Sequence, residues 1–138
     1  MATQDVWSLY EQLVERDRAS LNGAQRSVAA ICDLRQEVSS GGFDSYFRYA
    51  GGDHAKDALT ALPSVLGDAW AQLLREAMSV FGTDYPYDPA SRGAVLDAAD
   101  RDDELDVLDR RLHALEAASN ADAALADFVE RHPEVGRL

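Results

Sequence analysis

The sequence predicts an all-α fold, a single-domain bundle of about six to eight short and medium helices over residues 1–138. Two observations predict it. Apolar residues recur at three- and four-residue spacing in nearly every segment, and no segment alternates convincingly with the period of two that a half-buried strand requires. Alanine, the strongest helix former, occurs 23 times, and small side chains allow close helix packing.

The elements follow in chain order. Val6, Leu9, Tyr10, Leu13 and Val14 share one helical face, with Thr3 or Gln4 near the start of that helix. Asn22-Gly23 breaks the chain. Val28, Ile31, Leu34 and Val38 mark a second helix, which Gly41-Gly42 stops as a glycine C-cap does. Phe43 to Ala50 reads as a short aromatic helix or turn closed by Gly51-Gly52, and Asp53 is placed to cap the next helix, carried by Ala55, Ala58, Leu59 and Leu62.

Pro63 either kinks that helix or begins the following one. Leu66, Trp70, Leu73, Leu74, Ala77, Met78 and Phe81 form the strongest amphipathic stretch, ended by Gly82. Thr83 to Pro89 reads as an ordered loop. Helix resumes from about Ala90 to Asp100, again along Leu105, Leu108, Leu112 and Leu115, and last along Ala121, Leu125 and Phe128, before His132-Pro133 ends it. No internal repeat and no shift in composition divides the chain.

Charge narrows the function classes. Acids outnumber bases 25 to 13, giving a formal net charge of −12, while 46% of the residues are hydrophobic. That is enough apolar material for a folded core and too much for a disordered acidic tail. DNA phosphates and anionic membranes are bound through clustered Lys and Arg, so neither is an expected direct partner. The longest apolar run, Val28 to Cys32, has five residues, against about 20 for a bilayer span. With Asp5 where a signal peptide is apolar, and Cys32 as the sole cysteine, a soluble protein of the reducing cytoplasm is expected. Beside Ile31, Cys32 reads as a small buried hydrophobe rather than a reactive thiol.

Motifs for chemistry are missing. His54, His113 and His132 have no metal-ligand spacing, and the glycine pairs are not followed by the Gly-Lys-Ser/Thr of a phosphate loop. No catalytic residue, cofactor or metal is expected. Trp70 and Phe81 read as core.

The run from Asp97 to Asp109 is the unusual feature. Asp97, Asp100, Asp102, Asp103, Glu104, Asp106 and Asp109 against Arg101 give −6 over 13 residues. As a calcium loop it fails, because Leu105 stands where the sharp turn needs Gly and Arg111 where the bidentate Glu belongs. One reading is a solvated helix start, with Asp102, Asp103 and Glu104 in a first turn that favours acids and with i,i+4 pairs Asp97–Arg101 and Asp106–Arg110. The other is a docking face for a basic partner. Wound as one helix, the run would carry about one charge per 2.8 Å at 1.5 Å rise per residue, near the one per about 1.7 Å of B-DNA.

Residues 37–50, Glu-Val-Ser-Ser-Gly-Gly-Phe-Asp-Ser-Tyr-Phe-Arg-Tyr-Ala, resemble the signature of a family of small bacterial helical proteins, catalogued as a domain of unknown function and including a DNA-mimic protein. Gly41, Gly42, Phe43, Tyr46 and Phe47 carry the match, whereas Ser40, Ser45 and Ala50 stand where the family favours Asn, Gln and Asn. The similarity continues through Asp57–Leu62, the Gly67 turn, Val80-Phe81-Gly82, Tyr85-Pro86 with Arg92, Leu105–Leu115, and Phe128 to Pro133. It implies an all-helical fold, no enzymatic activity and, for some members, a homodimer. Physically the motif reads as architecture, two glycines turning the chain and three aromatic rings on one face.

The expected function is therefore a non-enzymatic acidic interaction protein, a DNA mimic that occupies the basic surface of a DNA-binding regulator through the seven acids. An immunity or antitoxin-like protein neutralising a toxin is the alternative. Further off stands an enzyme using acids with Tyr85, Tyr87 or His113 in a cleft, which a deep pocket with two strongly shifted carboxylates would support.

Overall fold

Polar side chains at the chain's turns cap the starts of four of its helices. The computed structural model describes residues 5–138. Asp5 caps α1 (Val6–Val14) by accepting the Trp7 N–H; Thr3 and Gln4, the expected start, lie outside the described residues. Asn22 and Gln25 form a reciprocal capping box at the head of α2 (Gly23–Arg48), each side-chain oxygen accepting the other's backbone N–H at 2.8 and 2.9 Å. After α3 (Ala55–Val65) and α4 (Asp68–Met78), Asp88 caps α5 (Pro89–Ala99) with proline in its first turn. The chain closes with α6 (Asp102–Ala118) and α7 (Ala121–Arg131). These are seven α-helices, and no strand occurs among the described residues.

α2 is the central element, packed by α1, α3, α5 and α6. Every residue from Val28 to Arg35 is buried, so this part of the helix has neighbours on all sides. Cys32 is buried as expected, and desolvation pushes its thiol up to about 12. Phe43, Tyr46 and Phe47 have no exposed surface, and Phe81 and Tyr85 meet the Phe47 ring edge-on. Full burial of such a ring stabilises by roughly 1.5–3 kcal/mol, which makes the aromatic triad a main anchor of the bundle. Trp70 also lies in the core.

The glycine pair interrupts the second helix as expected: Gly42 (φ 78°, ψ 178°) is non-helical and helical winding resumes at once with Phe43, so α2 is two helices joined end to end at a kink. Two other local expectations are corrected. Asp53 does not cap α3. His54 occupies that position without a side-chain cap, and Asp53 accepts a hydrogen bond from Arg92 instead. Pro63 lies inside α3 on its exposed side, and Gly67, at φ 114°, separates α3 from α4.

Arg92 is the largest fully buried side chain. Its guanidinium donates to the backbone carbonyls of Phe47 at 2.7 Å, Pro86 and Tyr49 at 3.0 Å and Tyr87, and to the Asp53 carboxylate at 2.6 Å. The C-terminal carbonyls of α2 and those of the loop before α5 thus share one donor set, which answers the open carbonyls of a helix end. No periodicity argument identifies this role.

Candidate interaction surface

The acidic run is split by the backbone. Asp100 adopts a left-handed conformation (φ 52°, ψ 52°) between α5 and α6, a geometry Asp tolerates better than most residues. The run is therefore not one helix, and the DNA-like linear spacing is not realised. What remains is the helix start: Asp102, Asp103 and Glu104 occupy the first turn of α6. Neither expected i,i+4 pair forms among the described residues. Asp97 instead binds Arg48 across the α2–α5 contact at 2.9 Å, and Arg48 also holds Asp44 at 2.8 Å.

The seven acids do not share one role or one face. Asp97, Asp102 and Asp106 join Asp44 around Arg48 in a shallow depression of about 500 Å³ between the kinked end of α2, α5 and α6. Four carboxylates there face one arginine, which is already bonded to two of them. Glu104 lies on the opposite flank of α6, two residues from Asp102 or Asp106 at about 100° of helical rotation each. Asp103 is exposed between these flanks, and Asp100 is exposed at the turn. Asp100, Asp102, Asp103, Glu104 and Asp106 form no ion pair and no side-chain hydrogen bond among the described residues.

Asp109 is a structural residue. It is half-buried and accepts the Phe43 N–H at 2.8 Å, just past the kink. A Cβ on Gly42 would collide with the same carboxylate. Burial pushes the Asp109 carboxyl up, and the Phe43 N–H opposes that shift. The Gly-Gly-Phe motif and the acidic run, read separately from sequence, meet here.

A larger groove, of about 1200 Å³, opens on the other side of the kink between α1, α2, the turn after Tyr49 and α6. Its floor is a polar network built on the two charged residues of the buried α2 segment. Asp33 accepts hydrogen bonds from the Tyr10 hydroxyl and from Arg18, the latter at 3.0 Å. Arg35 binds Glu116 through two nitrogens at 2.9 and 2.8 Å and Asp122 at 2.8 Å, with its guanidinium 5.2 Å from the centre of the Trp7 ring. Burial pushes the Asp33 carboxyl and the Tyr10 hydroxyl up. It pushes His54 down, with Arg18 acting in the same direction. Ser40 and Ala50, two of the positions where the motif lacks an amide, line this groove, while Ser45 donates to Glu37 at 3.1 Å.

The family model of DMP19-like proteins matches residues 19–132. The chain belongs to the DMP19-like protein family. Neither a curated protein nor a solved structure matches it. The DMP19-like match takes in the kinked α2, the Arg92 hub, α5 and α6, so the depression and most of the groove lie within the family's domain.

Residues suggested for a catalytic cleft do not converge in this DMP19-like chain. Tyr85 donates its hydroxyl to the Gly52 carbonyl at 2.5 Å, Tyr87 is exposed elsewhere, and His113 alone of the three lines the groove. Of the carboxylates lining that groove, Asp33 is pushed up by burial, and it is held by Tyr10 and Arg18. Among the described residues no group of three or more His, Cys, Asp or Glu is placed to hold a metal ion, and no helix is long and apolar enough to cross a membrane.

The groove itself escaped sequence reasoning. One signal for it was present: Asp33 and Arg35 interrupt an otherwise apolar stretch, and charges inside a buried helix must find partners.

Proposed function

We propose that this DMP19-like chain is a non-enzymatic interaction protein whose acidic face occupies the basic, DNA-binding surface of another protein. One observation carries the reading. Five exposed carboxylates, Asp100, Asp102, Asp103, Glu104 and Asp106, crowd the turn between α5 and α6, and none of them has an ion-pair partner among the described residues. Unpaired like charges at close spacing are at best neutral for stability. They also form a negative surface on which a basic partner can replace the missing cations. The family name, in which "DNA mimic" is contained, supports the same class of target.

The site to test is the α6 start with the depression beside it. Binding to a DNA-binding protein captured from the native cell is to be measured against salt, with that protein's own duplex as competitor. Affinity should fall steeply with ionic strength, the duplex should displace the chain, and Asp102→Asn with Asp103→Asn and Asp106→Asn should weaken binding at least tenfold. Binding indifferent to salt, to the duplex and to these substitutions would overturn the reading.

A further inference from the structure

The groove carries a charge imbalance that its own network does not resolve. Four carboxylates line it: Glu11, Asp33, Glu37 and Glu116. Asp33 is neutralised by Arg18, and Glu116 by Arg35, which also holds Asp122. Glu11 and Glu37 form no ion pair among the described residues, and the bond that Glu37 receives from Ser45 brings no charge. Of the other cations facing the groove, His54 is held towards its neutral form by burial and Arg18, and His113 enters from α6. Two anionic side chains from different helices therefore face a space large enough for a guest.

The walls specify the guest further. Tyr49 is 62% exposed and Val14 42%, both large apolar side chains turned to solvent at the groove. Trp7 and Tyr10 lie beside them, and the Trp7 ring already carries the Arg35 guanidinium. Aromatic rings and aliphatic surface next to unpaired carboxylates suit a side chain with an apolar stem and a cationic head. A planar guanidinium stacks on such rings better than an ammonium does. The volume of about 1200 Å³ exceeds the roughly 300–1,000 Å³ usual for small-molecule pockets, which favours a segment of polypeptide.

One stripe of α6 links the acidic depression to the groove. Asp102, Asp106, Asp109, His113 and Glu116 recur at three- and four-residue steps on α6. The first two line the depression, Asp109 holds the kink, and the last two line the groove.

We propose that the groove receives an arginine side chain from a basic segment of the partner protein. Its guanidinium is neutralised by Glu11 and Glu37, and its stem lies on Tyr49 and Val14. The proposal rests on the reading above in taking the partner as a basic protein, and it adds a specific anchor beside a diffuse acidic face.

The test uses the full chain, labelled with nitrogen-15 and titrated with the peptide acetyl-Gly-Arg-Gly-Arg-Gly-amide. Expected shifts centre on the Trp7 indole N–H and on the Tyr49 and Gly51 amides. A peptide with citrulline in place of arginine should bind at least tenfold more weakly, as should the Glu11→Gln, Glu37→Gln variant, whose own spectrum verifies its fold. A control with the same loss of charge, Asp57→Asn with Glu130→Gln, should bind as the parent does. Shifts confined to α5 and α6, equal binding of a peptide with lysine in place of both arginines, or binding unchanged in the Glu11, Glu37 variant would overturn it. The peptide assay does not involve the natural partner, so its failure leaves the Asp102, Asp103, Asp106 result standing, and the reverse holds equally.

Discussion

The Asp109 carboxylate on α6 accepts the Phe43 backbone N–H on α2 at 2.8 Å, directly after the kink at Gly42. The positive φ at Gly42 interrupts the helical hydrogen-bond pattern, and a carboxylate from a neighbouring helix takes up the Phe43 donor. Asp109→Ala leaves that N–H without its partner and should cost about 1–3 kcal/mol. Asp109→Asn retains an acceptor of the same shape and should cost less. Gly42→Ala combines a strained φ with a collision at Asp109 and should destabilise as well. Urea unfolding of the three variants checks the order, and equal stability of Asp109→Ala and the parent would refute the role.

Titration gives the same contact a sign. The folded-state pKa of Asp109 is raised, so between the unfolded value, about 3.9, and the folded one the native state binds the extra proton. Its contribution to stability therefore falls as pH rises through that window. Removing the titrating group in Asp109→Asn should make the slope of unfolding free energy against pH more positive than in the parent just above pH 4. Denaturant melts at several pH values measure it, and an unchanged slope would count against the assignment.

Arg92 donates to carbonyls from two parts of the chain and to Asp53, with no exposed surface. Lysine cannot reproduce that planar fork. Breaking a buried pair typically costs about 3–5 kcal/mol, so Arg92→Met, which leaves Asp53 and the carbonyls unanswered, should be among the most destabilising single changes. Arg92→Lys should recover only part of the loss. Thermal melts that place Arg92→Lys level with the parent would contradict the hub.

Cys32 is buried and its thiol is pushed up to about 12 by desolvation. Thiolate is the reactive form. Alkylation by iodoacetamide at neutral pH should therefore be negligible in the native protein and rapid in denaturant, with mass spectrometry as the readout. Fast native labelling would mean that the α2 segment opens readily.

Asp102, Asp103, Glu104 and Asp106 of α6 form no ion pair and no side-chain hydrogen bond among the described residues, and this separates stability from binding. Asp102→Asn with Asp103→Asn and Asp106→Asn removes a favourable helix-terminus charge effect and a comparable mutual repulsion. The net change in stability should stay within about 0.5 kcal/mol while partner binding is lost. A large drop in melting temperature would assign these residues to the fold instead.

Helix class, the order of the elements and the burial of Phe43, Tyr46, Phe47, Cys32 and Trp70 were determined by the sequence alone. Each follows from local terms, namely apolar spacing, helix propensity and the conformational freedom of glycine. Tertiary structure decided how the charged residues are used. Asp109 and Asp97 leave the acidic run to serve Phe43 and Arg48, Asp53 serves Arg92, and Asp33 and Arg35 become the floor of a groove. These contacts join residues 39 to 87 positions apart, or 15 and 23 in the bonds of Asp33 to Arg18 and Tyr10. A single sequence carries no record of which long-range partner a buried charge will meet. Only the packing of α1, α5 and α6 around α2 settles that, because desolvation forces each buried charge onto whichever opposite charge the fold brings near.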